Sequence, residues 1–123
     1  EFRHITDEIN LCQRYYEKSY QLSIRPGTAS ANGEVYAMYM TSLPNATYSL
    51  GFNISFLTRK RTTPTVTTYD PDGASGKAFD FSGASVDTNL AGQGERSFTC
   101  YFTSSGAGTS VRMRFHWIAT CEL

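Results

Sequence analysis

No apolar run in this sequence approaches the ~20 residues needed to cross a bilayer as a helix, and no signal-peptide pattern opens it. Membrane insertion is therefore not expected. Charge of one sign is also missing, since 11 basic residues stand against 11 acidic ones. That balance gives no support to broad electrostatic binding of nucleic acid or an anionic membrane. Histidine is scarce, with only His4 and His116, and neither sits in a G-x-S-x-G or H-E-x-x-H motif. Catalysis and a resident cofactor or metal are not expected. Cysteine is scarce and odd in number, with Cys12, Cys100 and Cys121 at no metal-ligand spacing. Buried free thiols are one reading, and a Cys12–Cys121 bridge between first and last strands is the other.

Aromatic residues are plentiful, with 8 Tyr, 8 Phe and a single Trp among 123 residues. At that length one domain is expected, large enough for a sizeable core. The first residue is Glu1 rather than Met, so a fragment or processed product with an intact C-terminus is expected. Residues 1–10 read as a connector from an upstream region, and residues 11–123 as a single domain.

The alternation of Val111, Met113, Phe115, Trp117, Ala119, Cys121 and Leu123 with Arg112, Arg114, His116, Thr120 and Glu122 predicts a long strand with one buried and one wet face. Tyr48, Leu50, Phe52, Ile54 and Phe56 predict a second such strand, and Phe98, Cys100 and Phe102 a third. Glu34 to Met40 reads as a strand buried on both faces. Pro64 to Tyr69 reads as a Thr/Val strand closed by an Asp70-Pro71-Asp72-Gly73 turn. Lys77 to Phe81 and Ser85 to Asn89 are short strands in a Gly/Ser/Ala-rich stretch. Leu11 to Tyr20 has an ambiguous period that its tyrosines, and the Tyr20, Leu22, Ile24 alternation, tilt towards strand. Turns are expected at Arg25-Pro26-Gly27 and Pro44-Asn45, and a hairpin loop over Ser104 to Thr109. No stretch presents a convincing amphipathic helix. The sum is an all-β chain, an antiparallel β-sandwich of jelly-roll type with seven to eight strands.

Several groups invite chemistry. Asp70 and Asp72 can be a glycosidase pair or calcium ligands, but Asp-Pro-Asp-Gly reads first as a turn. Arg59-Lys60-Arg61 reads as a solvated corner rather than a phosphate or acidic-sugar contact. Asn45-Ala46-Thr47 and Asn53-Ile54-Ser55 match the N-glycosylation pattern without being evidence of secretion. If the final hairpin forms, Tyr101, Arg112, Arg114 and His116 share one exposed sheet that can grip a glycan or face another subunit. Tyr69 and Asp70 complete the expected ligand-binding set.

Three segments resemble a domain family found at the C-terminal ends of tailed-bacteriophage tail fibres, tailspikes and other virion proteins. Leu11-Cys12-Gln13-Arg14-Tyr15-Tyr16-Glu17-Lys18-Ser19 resembles that family's opening CQRYY-x-KS segment. Phe56, Arg61, Pro64, Thr65 and Val66 match the spacing of its central F…R-x-x-P-T-V segment. Trp117-Ile118-Ala119-Thr120-Cys121-Glu122-Leu123 resembles its terminal W-x-A-x-A-E-L. Departures are Cys121 in place of a small Ala, Arg59-Lys60 where the family is commonly more apolar, and an unmatched Asp72 to Gly94. The resemblance implies a non-enzymatic β-sandwich at the distal end of a virion protein that binds host-surface polysaccharide and assembles as a homotrimer. The alternative it leaves is a structural trimerisation, capping or decoration domain. It carries over no ligand residues, and it implies that Trp117 is a core anchor.

Overall fold

The computed structural model describes residues 4–80 and 84–122, and the side chains of residues 37–50 and 103–111 lie outside that description. The described elements are one helix, α1 (Ile5–Gln13), and seven strands. The strands are β1 (Tyr16–Lys18), β2 (Val35–Ser55), β3 (Thr65–Tyr69), β4 (Lys77–Phe79), β5 (Ser85–Asp87), β6 (Asn89–Ala91) and β7 (Ser97–Thr120). The fold is an antiparallel all-β sandwich, as the alternating segments predict.

β7 is its hub. It pairs antiparallel with β2 along almost its whole length, from Ser55 opposite Ser97 to Val35 opposite Phe115. Its other ladders are to β6 through residues 99–101, to β4 at Arg114, and to β1 and β3 through its last residues. Only β5 reaches the sheet indirectly, through its hairpin with β4.

The 24 residues of β7 cannot run straight. In an extended strand Phe98 and Trp117 would stand about 60 Å apart, yet their ring centroids are 5.4 Å apart. The β2–β7 ribbon therefore folds over on itself, and its two arms face each other across the core. Register shifts between Met40 and Leu43, and between Leu43 and Ala46, place the bend where β2 carries Pro44 and β7 carries Gly106 and Gly108. Proline has no N–H to give a ladder and is tolerated at such bulges. The corners expected at Pro44-Asn45 and Ser104 to Thr109 are thus in the right place but of a different kind. Both strands bend together with their pairing kept, and no hairpin loop separates residues 97–102 from 110–120.

The core sits between the arms. Phe98, Cys100 and Phe102 come from one, Met113, Phe115, Trp117 and Ala119 from the other, and Phe56, Val66 and Ala78 close the sides. The inward positions are even-numbered before the bend and odd-numbered after it. Trp117 touches Phe56 as well as Phe98, with centroids 5.6 Å apart, which makes it the packing anchor expected of it. Val111 and Leu123, expected on the same face, fall outside the described side chains, as do Tyr48 and Leu50. Phe81 lies outside the described residues.

Four local expectations are corrected. Leu11 to Tyr20 is not one strand, because α1 continues to Gln13 and only Tyr16–Lys18 join the sheet. Ile5, Ile9 and Cys12 recur at helical spacing, and Asp7 and Glu8 suit the positive end of the helix dipole. The Tyr20, Leu22, Ile24 alternation is loop, with Tyr20 buried and Leu22 97% exposed. β2 begins as expected, but Tyr36 is exposed, so that strand is not covered on both faces. The cysteines are all free, and only Cys100 is buried, since Cys12 rides on the exposed α1 and Cys121 is half-covered. Burial pushes the Cys100 thiol up to about 12.

The largest correction is Lys60. It is buried, not solvated, and its ammonium meets the buried carboxylate of Glu17. Lys60 Nζ also donates to the carbonyls of Gln13 at 2.6 Å and Thr58 at 2.9 Å, and lies 4.5 Å from the Phe56 ring centroid. Glu17 Oε1 takes the Leu57 N–H at 2.9 Å, so both charges are fully satisfied. A buried pair of this kind is costly to break and cheap to replace as a unit. Glu17→Leu alone is expected to cost about 3–5 kcal/mol in urea unfolding, and Glu17→Leu with Lys60→Met to recover most of that loss.

Candidate functional site

The outward face of β7 beyond the bend carries Arg112, Arg114 and His116, as the alternation predicts. That face is not open. The segment between β1 and β2 folds across it, and His116 is fully buried beneath it. The Tyr20 ring stacks on the imidazole, with centroids 3.9 Å apart and planes 12° apart. His116 Nε2 lies 2.8 Å from the Ser30 carbonyl, which can only accept, so Nε2 carries the hydrogen. Nδ1 then accepts from the Ser19 hydroxyl at 3.1 Å, and that hydroxyl takes the Trp117 N–H at 2.9 Å. His116 is therefore a pin for the covering segment, and the expectation of an exposed imidazole is corrected.

Arg114 is also committed. Its Nε donates to Glu34 Oε1 at 3.0 Å and its Nη2 to Oε2 at 3.4 Å. Its guanidinium carbon stands 5.9 Å from the Tyr36 centroid and 5.8 Å from that of Phe79. Glu34 neutralises the charge that an acidic sugar would have met. Arg112 is half-buried, two pairs further along the ladder towards the bend.

Tyr69 and Asp70 join this end of the molecule, because Tyr69 is the ladder partner of His116 and its ring meets Tyr20 edge-on at 6.2 Å. Asp70 is a loop former. Its Oδ1 accepts the N–H groups of Asp72 at 3.0 Å and Ala74 at 2.9 Å, and its Oδ2 takes the Ser85 hydroxyl at 2.7 Å. With both oxygens taken and Asp72 exposed beside it, the pair is the turn that Asp-Pro-Asp-Gly suggests. Among the described residues no group of three or more His, Cys, Asp and Glu is placed to hold a metal.

Tyr101 stands apart from all of these. It lies on the arm before the bend, and because the two inward faces meet at the core, the two outward faces point away from each other. The single surface expected for Tyr101, Arg112, Arg114 and His116 is therefore split by the core. What surrounds Tyr101 is neutral and polar. Gly51 and Asn89 are its partners on the two flanking strands, and the next row is Asn53, Thr99 and Ala91. Asn53 Nδ2 donates to Thr99 Oγ1 at 3.2 Å. A side chain at position 51 would bring its Cβ within 2.9 Å of Tyr101 Cβ, so glycine gives the tyrosine its place. Glycine at an outward position of an alternating strand, Gly51 between Leu50 and Phe52, is the signal by which the sequence marks this row.

A second surface escaped the sequence reading. A groove of ≈ 320 Å³ opens between α1 and β1, with Ile9, Tyr16, Leu22 and Leu57 on its walls. Leu57 is 82% exposed, and α1 buries none of its residues against the rest of the chain. Burial raises the Tyr16 hydroxyl pKa above its ordinary value, with the neighbouring Tyr69 adding to the shift.

Compared with protein-family models, curated proteins and solved structures, the chain finds no match in any of the three. The class of molecule defined by the structure is an antiparallel β-sandwich with a neutral aromatic–amide outer face and an apolar flank.

Burial lowers the His116 pKa from 6.5, outweighing the Ser30 carbonyl and Glu34, which favour the protonated ring. The unfolded chain therefore takes up a proton more readily than the folded one. Stability is full above pH 6.5 and falls as pH drops below that value, until the folded-state ring is protonated too. Thermal unfolding at about pH 7.5 and about pH 5 should show this loss in the native chain and a smaller one in His116→Asn.

Proposed function

We propose that this chain is a non-catalytic module of a tailed-phage virion that binds host-surface carbohydrate through the outer face around Tyr101. The observation that carries the reading is the Gly51–Tyr101–Asn89 row. It is an exposed aromatic side chain between a residue with no side chain and an amide, with Asn53 and Thr99 beside it. Sugars are held in this way, by an aromatic surface against their C–H groups and amides or hydroxyls bonding their oxygens. The neutral neighbours of Tyr101, namely Gly51, Asn53, Asn89, Ala91 and Thr99, favour a neutral over an acidic glycan on this face.

The virion context rests on the three resembling segments, and their arrangement supports it. The opening segment bonds to the closing one through the Ser19 N–H to the Trp117 carbonyl at 3.0 Å and the Cys121 N–H to the Tyr15 carbonyl at 2.7 Å. Val66 of the central segment pairs with Ala119, and Phe56 packs on Trp117. The Arg61 N–H bonds the Arg14 carbonyl at 3.1 Å. Segments distant in the chain thus form one structural unit, which is what a family signature made of fold-determining residues would look like.

Tyr101→Ala is expected to weaken calorimetrically measured binding of host lipopolysaccharide or capsule oligosaccharides about tenfold, as loss of an aromatic contact would. Stability should change by less than about 0.5 kcal/mol. Binding unchanged in Tyr101→Ala, or no binding of any host glycan by the assembled protein, would overturn the reading.

The apolar groove favours a second reading, a trimerisation, capping or decoration domain. Exposed Ile9, Leu22 and Leu57 and a nine-residue helix with nothing buried beneath it are features of a surface that is covered in an assembly. In that case Leu57→Glu is expected to shift the sedimentation coefficient from oligomer to monomer with the fold intact. A native chain that sediments as a stable monomer would set the second reading aside.

A further inference from the structure

A cleft of ≈ 640 Å³ lies at the end of β7, where the residues leading into β3 diverge from it. Its walls are Arg61, Thr62, Thr63 and Thr65 on one side and Thr120 and Glu122 on the other. The volume falls in the range of small-molecule sites, roughly 300–1,000 Å³. The chemistry of the walls is narrow. Four threonine hydroxyls, each able to donate and accept, stand with one guanidinium and one carboxylate, and no aromatic or large aliphatic side chain is present.

These groups are uncommitted. Arg59, Lys60, Lys77 and Arg114 each hold a carboxylate, at Glu95, Glu17, Asp87 and Glu34. Among the described residues the Arg61 guanidinium, the Glu122 carboxylate and the four hydroxyls have no side-chain hydrogen bond or ion pair of their own. Position is well defined nonetheless. Thr65 and Thr120 are direct ladder partners, so their side chains share one face of the sheet. Arg61 is tied by its N–H to Arg14, and the Thr62 carbonyl takes the Cys121 thiol at 3.3 Å. Threonine is stiff at χ1, so holding such hydroxyls ready costs little entropy on binding.

We infer that this cleft is a binding site for a neutral polyhydroxylated ligand of mono- or disaccharide size. Arg61 donates to adjacent ligand oxygens, Glu122 accepts from ligand hydroxyls, and the threonines complete the set. The opposed charges select against polyanions and polycations alike, and the lack of apolar walls selects against hydrophobic ligands. The site is separate from the Tyr101 row and does not depend on it.

Cys121 lines the same cleft and reports its occupancy. In a Cys12→Ser chain Cys121 is the reactive thiol, because Cys100 is fully buried with its pKa pushed up to about 12. The rate of N-ethylmaleimide labelling would be measured with glucuronate as the anionic control and with the neutral sugars methyl glucoside, methyl galactoside, methyl mannoside and N-acetylglucosamine. At least one should slow labelling saturably, by about tenfold at ten times its Kd. Protection should vanish in Thr63→Val and in Arg61→Met, both at exposed side chains, with the backbone bond from position 61 to Arg14 kept, and persist in Tyr101→Ala. No protection by any of the sugars, protection that survives Thr63→Val and Arg61→Met, or protection by glucuronate alone would overturn the inference. Loss of glycan binding in Tyr101→Ala with Cys121 protection kept would separate this site from the proposed function.

Discussion

Everything in this fold depends on β7 having a hydrogen-bonding partner on each side. A strand edge left open is a row of unsatisfied N–H and C=O groups, ready to pair with another chain. Here β2 and β6 flank residues 99–101, β2 and β4 meet at Arg114, and β1 and β3 enclose residues 118–120. Because the same strand contributes to both faces of the core, the bend that folds the ribbon also builds the sandwich. A straight ribbon would leave Phe98, Phe102, Phe115 and Trp117 with no opposing layer to bury them.

The bend also decides what the polar residues can do. Outward positions on the two arms look in opposite directions, so Tyr101 cannot act together with Arg114 or His116. The second arm is then covered by the segment between β1 and β2, which turns His116 from a surface base into a buried pin and neutralises Arg114 with Glu34. The first arm stays open and uncharged around Tyr101. Recognition of neutral, hydroxyl-rich ligands is thus better matched to this molecule than recognition of anions. The same holds for the threonine cleft at the far end of β7.

The Glu17–Lys60 pair ties the helix, β1 and the corner after β2 into one unit. It stands beside the apolar groove, whose walls include Glu17 itself. A charge-satisfied floor under an exposed apolar surface suits an interface, which links the second reading of function to the energetics of the core.

Much of the fold was legible in the sequence because strand burial has a local signature. The alternation of Phe98, Cys100 and Phe102, that of Met113, Phe115, Trp117 and Ala119, and the Asp70 turn depend on neighbours within a few residues, and the structure has each of them. The candidate site was much less legible. Which outward face is covered depends on residues far away in the chain, such as Ser19 and Ser30 over His116, and Glu17 beneath Lys60. Nor does local pattern distinguish a glycine-rich hairpin loop from a bend in which Gly106 and Gly108 stay paired with β2. An all-β chain, its strands and its inward residues follow from local pattern alone, since side-chain direction alternates with every peptide. Which polar residues reach solvent is set by long-range packing, because exposure is a property of what packs on a face and not of the strand that carries it.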